Sequence, residues 1–376
     1  MNDLGVVPRP RPPSRRARHL AAGLVVAGVL LTAAELALRL AGFEYRAPVP
    51  IIYGAGGMHR FHPYWFWEPR PGTPVEGCAG EHINAAGYRG PERPVARRKG
   101  TLRIVTLGDS STFGSRLCEG QNYPALLEQE LPGSEVLNFG VVGFTAFQGA
   151  KLLAGRALAY RPDVVLAAFG ATNEARPALG YDVDAKFAIT SRTPPWAAAA
   201  RDRLATLRLF QLVERGLRRP GPDRTEQEML AEWGGALTRA ARAGDYRPNQ
   251  SVASFERSLE TIVELARAAG ARVVLIVPPR RTTAEVGWLA VEDYTLAIWR
   301  VAVMLAVQCW VVRAAFARVP DCDRVLFLDD VHPSVAGHRL YARFLADNLR
   351  RLLADDPLAP NKPRGDDTVP EKGKVW

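Results

Sequence analysis

The chain has 376 residues, enough to bury a large core, and suits one sizeable domain with appendages better than two equal domains. Hydrophobic residues make up 47% and charged residues 23%, the balance of a globular protein. The formal net charge of +10 does not point to nucleic acid: five arginines lie at the N-terminus, the rest sit beside acidic residues, and no basic run is interleaved with aromatics. Four cysteines (Cys78, Cys118, Cys309, Cys322) without CxxC spacing speak against a zinc site.

Arg9, Arg11, Arg15, Arg16 and Arg18 precede an uncharged apolar stretch, Leu20 to Ala34, which continues on a helical period through Glu35, Arg39 and Gly42. Residues 1–19 are therefore expected as a basic cytoplasmic flank, 20–42 as a membrane helix, and the remainder as exported. The strictly apolar part is short of the ~20 residues of a span, and Glu35 with Arg39 would complete it at the far interface. No small-x-small cleavage site follows, which favours an uncleaved signal-anchor over a secreted product.

Residues 43–100 are rich in Pro, Gly and aromatics and read as an extension packing on the core. Tyr64-Trp65-Phe66-Trp67 and Ile83-Asn-Ala-Ala-Gly87-Tyr-Arg-Gly90 are short strands and turns, the second expected to cover a sheet edge.

From residue 101 to 354, apolar strands alternate with amphipathic helices, the pattern of a parallel sheet covered on both faces. Strands are expected at Arg103–Leu107, Val136–Phe139, Val164–Phe169, Arg272–Val277 and Arg324–Leu328. Helices are expected near 123–131, 145–159, 252–269, 290–308 and 334–354, the last opening with Pro333 at its first position. About five such strands make a doubly wound α/β domain with a ligand at the strands' carboxyl ends. Residues 177–250, with a candidate helix at Glu226–Ala243, interrupt the alternation as an insertion: a lid or substrate platform, or a solvated hairpin. Residues 355–376 read as a disordered tail. Export would permit disulfides; Cys309 with Cys322 is the first pairing to test, with free thiols the alternative. Asn249-Gln-Ser251 matches a glycosylation sequon.

Four blocks carry chemistry. Gly108-Asp109-Ser110-Ser111 follows the first strand, Asn138-Phe-Gly140-Val-Val-Gly143 the second, and Gly170-Ala171-Thr172-Asn173-Glu174 the third; Asp329-Asp330-Val331-His332 precedes the last helix. A serine hydroxyl becomes a useful nucleophile when a carboxylate-oriented histidine takes its proton. Among six histidines, His332 alone has a carboxylate three residues before it and a helix start just after. On a helical turn that spacing would place Asp329 and His332 on one face. Ser111 is the alternative to Ser110. Asp109 reads as a brace for the turn, and Asp330 as a cap or salt-bridge partner.

In this order the blocks resemble the SGNH (GDSL-type) serine hydrolase family, over Thr101 to Leu353. The resemblance implies a flavodoxin-like three-layer sandwich behind the N-terminal membrane helix, and an esterase using a Ser-His-Asp triad through an acyl-enzyme. It selects Ser110 as nucleophile, His332 as base and Asp329 as its orienting acid. It assigns the oxyanion donors to the Ser110 N–H, the Gly143 N–H (over Gly140, by spacing from Asn138) and the Asn173 side-chain amide. The third block departs from the family's Gly-x-Asn-Asp by one inserted or substituted residue and by Glu174. Segment 83–90 also recurs before the serine block in anchored members. No cofactor or metal is implied. The partners expected are an acyl ester of an envelope glycan or lipid and the membrane, with no nucleic acid. An O-acyltransferase with the same triad and a noncatalytic glycan-binding protein are the alternatives.

Overall fold

The computed structural model describes residues 15–43, 58–62, 65–175, 204, 206–217, 248–281 and 291–355. The expected helix Glu226–Ala243, most of the insertion and the tail from 356 onward lie outside them. The chain divides into two units, one formed within residues 1–47 and 199–222 and the other comprising the rest.

The smaller unit pairs helix α1 (Arg15–Leu40) with the amphipathic helix α6 (Arg208–Leu217). Within α1, Ala21–Leu40 is long and apolar enough to cross a membrane.

The larger unit opens with a hairpin, β1 (His59–His62) antiparallel to β2 (Phe66–Pro69). The aromatic block at 65–67 is buried, and the Trp67 Nε1–H donates to the Val142 carbonyl at 2.9 Å. There follow β3 (Leu102–Gly108), α2 (Ser110–Phe113), α3 (Tyr123–Glu130), β4 (Ser134–Gly140), α4 (Ala146–Gly155), β5 (Val164–Ala168) and α5 (Ala171–Glu174). Beyond the insertion come α7 (Val252–Ala268), β6 (Arg272–Val277), α8 (Val291–Met304), β7 (Gln308–Val311), α9 (Arg313–Phe316), α10 (Cys322–Val325) and α11 (Val335–Asp355).

The five-stranded sheet has the order β4-β3-β5-β6-β7, and every pairing is parallel. Ile104, Val105 and Leu107 on β3 and Val164, Val165 and Leu166 on β5 are fully buried. Such continuous apolar runs are what a sheet covered on both faces requires. One face packs against α4, α7 and α8 through Phe144, Leu153, Phe255 and Ile298; the other packs against α3 and α11 through Tyr123, Leu127, Tyr341 and Leu345. This is the three-layer α/β arrangement that the alternation predicts. Segment 83–90 meets the edge strand: Arg89 forms an isolated antiparallel bridge with Asn138 of β4.

Three expectations fail. Arg324–Leu328 is not the fifth strand; residues 322–325 form the helical turn α10, and Leu326 and Phe327 enter the core from a loop. The fifth strand is β7, where Gln308 to Val311 register with Val274 to Val277. Helix α8 ends at Met304 rather than near 308, and Ala306 turns the chain with φ 48°, so Gln308 opens a strand instead of closing a helix. Short apolar runs do not announce their own period, and sheet pairing decides them. Pro333 does not open the last helix. Ser334 caps it, its Oγ accepting from the Gly337 N–H at 3.2 Å, while Pro333 bridges to Phe327. Finally, the disulfide joins Cys78 to Cys118, whose Cα atoms lie 5.4 Å apart, leaving Cys309 on β7 and Cys322 on α10 free. The extension folds back on the loop after α2, a contact that spacing along the chain does not reveal.

Burial sets a pH limit on this fold. His59, His62 and His338 are at most 6% exposed. Burial lowers their pKa values from the ordinary 6.5 to about 4, about 2 and about 3, respectively, with Arg156 and Arg60 adding repulsion at His62 and His332 and Arg89 at His338. The His338 Nδ1 accepts from the Tyr123 N–H at 2.9 Å, which requires the unprotonated nitrogen. Below 6.5 the unfolded chain binds protons that the folded one refuses, so stability present above that pH is lost as pH falls toward each folded value. Urea unfolding followed from pH 7 to pH 4 is expected to show stability falling by up to about 1.4 kcal/mol per pH unit for each histidine. His338→Gln, which keeps an acceptor for Tyr123, should flatten that slope by one proton; an unchanged slope would show that His338 is not held neutral.

Candidate active site

The first block is built by close packing. A Cβ on Gly108 would lie 2.0 Å from Thr112 Oγ1 and 2.8 Å from the Ala168 carbonyl, so only glycine lets α2 sit directly on the ends of β3 and β5. Asp109 caps α2, its Oδ1 accepting from the Ser111 N–H at 2.9 Å, and Ser110 takes the first helical position. Arg89 holds the other end of this short helix. Only 1% exposed, it donates to the Phe113 and Gly114 carbonyls at 3.0 and 2.7 Å, to Glu81 at 3.0 Å and to the Leu117 carbonyl, and lies over the Phe113 ring. Segment 83–90 thus braces the turn that presents Ser110 as well as meeting the sheet edge.

Asp329 and His332 come from the loop between α10 and α11, not from a helical turn. The carboxylate folds the loop around itself: Asp329 Oδ1 accepts from the Val331 and His332 N–H groups at 3.0 and 2.8 Å. That turn brings Asp329 Oδ2 within 2.8 Å of His332 Nδ1, and His332 Nε2 lies 2.7 Å from Ser110 Oγ. Partial burial acts to raise the Asp329 pKa, but the hydrogen bonds from the His332 ring and the Val331 N–H outweigh it and hold the group well below the usual carboxylate range. Three straps fix this loop. The Ser111 hydroxyl donates to the Val331 carbonyl at 3.1 Å, the Arg281 N–H to the Asp330 carbonyl at 3.0 Å, and the Leu328 N–H to the His332 carbonyl at 2.8 Å. Ser111, the alternative nucleophile, thus bonds the loop that carries His332. Asp330 pairs with Arg281 at 3.8 Å rather than capping a helix.

Gly143 occupies a turn closed by the Phe144 N–H on the Val141 carbonyl, and its φ of 78° is the left-handed conformation such a third position demands. Among the described residues, no hydrogen bond is made by the N–H of Ser110 or of Gly143. Gly140 is different: its N–H donates to Asn138 Oδ1 at 3.0 Å. Asn173 lies on α5 beside Asp109. Its Nδ2 donates to the Phe144 carbonyl at 3.0 Å and to Asp109 Oδ2 at 3.2 Å. Glu174 is 1% exposed and accepts from the Ala146 N–H at 3.0 Å and from the Asn173 N–H at 3.3 Å, so the departure in the third block supplies a longer acid that reaches the start of α4. Burial and the neighbouring Asp109 push its pKa well above the ordinary value; burial likewise raises Asp109, opposed by the Ser111 N–H and His332.

One neighbour carried no signal in the sequence. Arg116, with φ 65°, places Nη1 3.1 Å from Asp329 Oδ2. Ser110, Gly143 and Asn173 follow the carboxyl ends of β3, β4 and β5; His332 follows no strand and reaches the same place from a loop. Among the described residues, the one cluster with metal-ligand spacing is Cys78, Glu81 and Cys118, whose two thiols are joined in the disulfide.

A model of the GDSL-like lipase/acylhydrolase family matches residues 106–340, more than half of the sequence. The chain belongs to that family. Its members are hydrolases of ester bonds, and the four blocks all fall within the match. Solved structures similar to this GDSL-type chain include the lipase/acylhydrolase from Enterococcus faecalis: 19% identity, 66% of this chain and 96% of that one covered, TM-score 0.42. An acetyl-xylooligosaccharide esterase, Axe2, from Geobacillus stearothermophilus is 18% identical over 67% of this chain and 95% of its own, with TM-score 0.42. The psychrotrophic esterase EstA from Pseudoalteromonas is 15% identical over 67% and 99%, with TM-score 0.41. The sequence matches none of the curated proteins with which it was compared.

Arg89 gives this GDSL-type site a test independent of turnover. Arg89→Ala removes a buried cation that serves the Glu81 carboxylate and three carbonyls, and the expected loss is about 3–5 kcal/mol in urea unfolding. Arg89→Lys should recover little, since one ammonium cannot reproduce the guanidinium's fork. A loss below about 1 kcal/mol, the level of an exposed pair, would show that the brace is dispensable.

Proposed function

We propose that the chain is an exported, membrane-anchored carboxylic-ester hydrolase that works through an acyl-enzyme on Ser110. The observation that carries this reading is the unbroken relay from Ser110 Oγ to His332 Nε2 (2.7 Å) and from His332 Nδ1 to Asp329 Oδ2 (2.8 Å). With the proton on Nδ1 donated to Asp329, the free Nε2 accepts the Ser110 proton as Oγ attacks the acyl carbon. The low pKa of Asp329 keeps it anionic, so it favours the imidazolium that forms. His332 then protonates the departing alcohol. In the second half, water loses a proton to His332 and attacks the acyl-serine, and Ser110 leaves with the proton returned.

Negative charge builds on the carbonyl oxygen in each half, and donors must already face it. The unengaged N–H groups of Ser110 and Gly143 suit that task, whereas the Gly140 N–H is committed to Asn138. Asn173 is the third donor in this reading: its longer bond, 3.2 Å to Asp109, exchanges for the oxyanion while Phe144 keeps the other. The arginine-flanked apolar helix supports an anchored enzyme facing acylated envelope glycans or lipids. A reporter fused after Trp376 tests that topology: export with membrane association is expected, and a soluble cytoplasmic product would sink the anchor.

Two substitutions test the chemistry on a simple acyl ester. Ser110→Ala is expected to lower kcat by about 10⁴- to 10⁶-fold with the fold unchanged. Ser111→Ala should keep most activity, and the reverse pattern would reassign the nucleophile. Asn173→Ala is expected to lower kcat by about 10²- to 10³-fold with KM little changed, because its bond strengthens in the transition state. If Asn173 only braces α5, thermal stability should fall instead while the folded fraction turns over normally.

A further inference from the structure

Helix α1 carries a carboxylate inside its apolar stretch, and such a group needs a partner at that depth. Glu35 has three. Arg39 Nε lies 2.7 Å away, and the N–H groups of Arg208 and Leu209 donate to its two oxygens at 3.0 and 2.9 Å. The last two are orphan donors at the start of α6, so Glu35 caps that helix and sits on the positive end of its dipole. Arg39 also donates to the Thr206 carbonyl at 3.2 Å, and the Arg215 guanidinium lies 6.0 Å from the Phe43 ring centre. These contacts make α6 run alongside the exit end of α1 in the same direction, from the level of Glu35 to that of Phe43. At ~1.5 Å per residue, Glu35 lies about 7 Å inside the Leu40 end of the span.

The faces of α6 are arranged the wrong way round for water. At 100° per residue, Leu209, Leu212, Val213 and Leu217 share one side; Arg208, Gln211 and Arg215 share the other. The polar side makes the contact, with Gln211 buried and Arg208 bonded to it at 3.0 Å. Leu212 and Val213 are 42% and 55% exposed, and Leu204 and Leu207 in the preceding turn are 43% and 39% exposed. On α1, Leu36 and Leu40 are 56% and 81% exposed.

We propose that α6 and the Leu204–Leu207 turn form a second membrane-contacting element. They lie at the acyl-chain and headgroup boundary of the leaflet through which α1 exits, with Leu204, Leu207, Leu212 and Val213 against phospholipid. The start of α6, at the level of Glu35, therefore lies about 7 Å inside the span, where exposed leucines meet acyl chains. The proposal rests on the reading of α1 as a membrane span.

The test uses the full chain in phosphatidylethanolamine–phosphatidylglycerol vesicles, with the photoreactive residue p-benzoylphenylalanine replacing Leu30, Leu204, Leu212 or Arg215 one at a time. Each variant is first checked for the parent's unfolding midpoint, and two α6-side positions guard against loss of one. Mass spectrometry after irradiation should find phospholipid adducts at positions 30, 204 and 212, and at least about fivefold fewer at position 215 on the polar face. Adducts at position 30 but at neither 204 nor 212 would overturn the proposal and leave the anchor standing. Cross-links from 204 or 212 to a second copy of the chain would assign this face to self-association and equally overturn it. Absence of lipid adducts at position 30 as well would remove the anchor and the proposal together.

Discussion

The candidate site depends on one meeting, that of α2 with the loop between α10 and α11, parts of the chain more than two hundred residues apart. Gly108 lets α2 lie flat on the strand ends, and the Ser111 hydroxyl then ties that helix to the Val331 carbonyl. With the loop fastened there, and the Arg281 N–H holding it from the β6 side, His332 has one place to put its ring. Asp329 completes the arrangement by folding the loop with its backbone bonds and gripping Nδ1 with its side chain. A shift of 1 Å at either partner would break the 2.7 Å contact on which the relay depends.

Beneath Ser110 lies a buried polar layer whose members position one another. Asp109 caps α2 and receives Asn173; Asn173 also bonds the Phe144 carbonyl beside Gly143; Glu174 receives the start of α4. Each strand end that contributes to the site is thereby cross-linked to its neighbour by hydrogen bonds rather than by apolar contact alone. Such a network holds a unique geometry because each unsatisfied group in it would carry a desolvation penalty. Burial raises the pKa of both acids, and the N–H donors that they receive work against that shift.

The appendages act on the same principle. The extension brings Arg89 under the C-terminal end of α2 and locks its loops through Cys78–Cys118. In the smaller unit, Glu35 closes the start of α6. In both places a charged side chain satisfies backbone groups that a short helix leaves open.

What the sequence by itself determined is the periodic and the local. Continuous apolar runs at 103–107, 136–139, 164–169 and 272–277 read as buried strands because they alternate with amphipathic helices, and all four lie in the sheet. Gly-Asp-Ser, Asp-x-x-His, Gly143 and Asn173 stood out because, in this order, they resemble the motifs of the family to which the chain belongs. Tertiary structure decided what depends on partners distant in the chain. Whether 308–311 or 324–328 completed the sheet turned on which could register beside β6, and apolar character is the same in both. The disulfide partner of Cys78, the brace at Arg89 and the Arg116–Asp329 pair arise from chain segments meeting in space, and no spacing encodes them. The Asp329–His332 contact shows the division within one motif. Its residues were readable, but the helical turn expected from their spacing was not formed, because backbone N–H groups of the loop found the Asp329 carboxylate first.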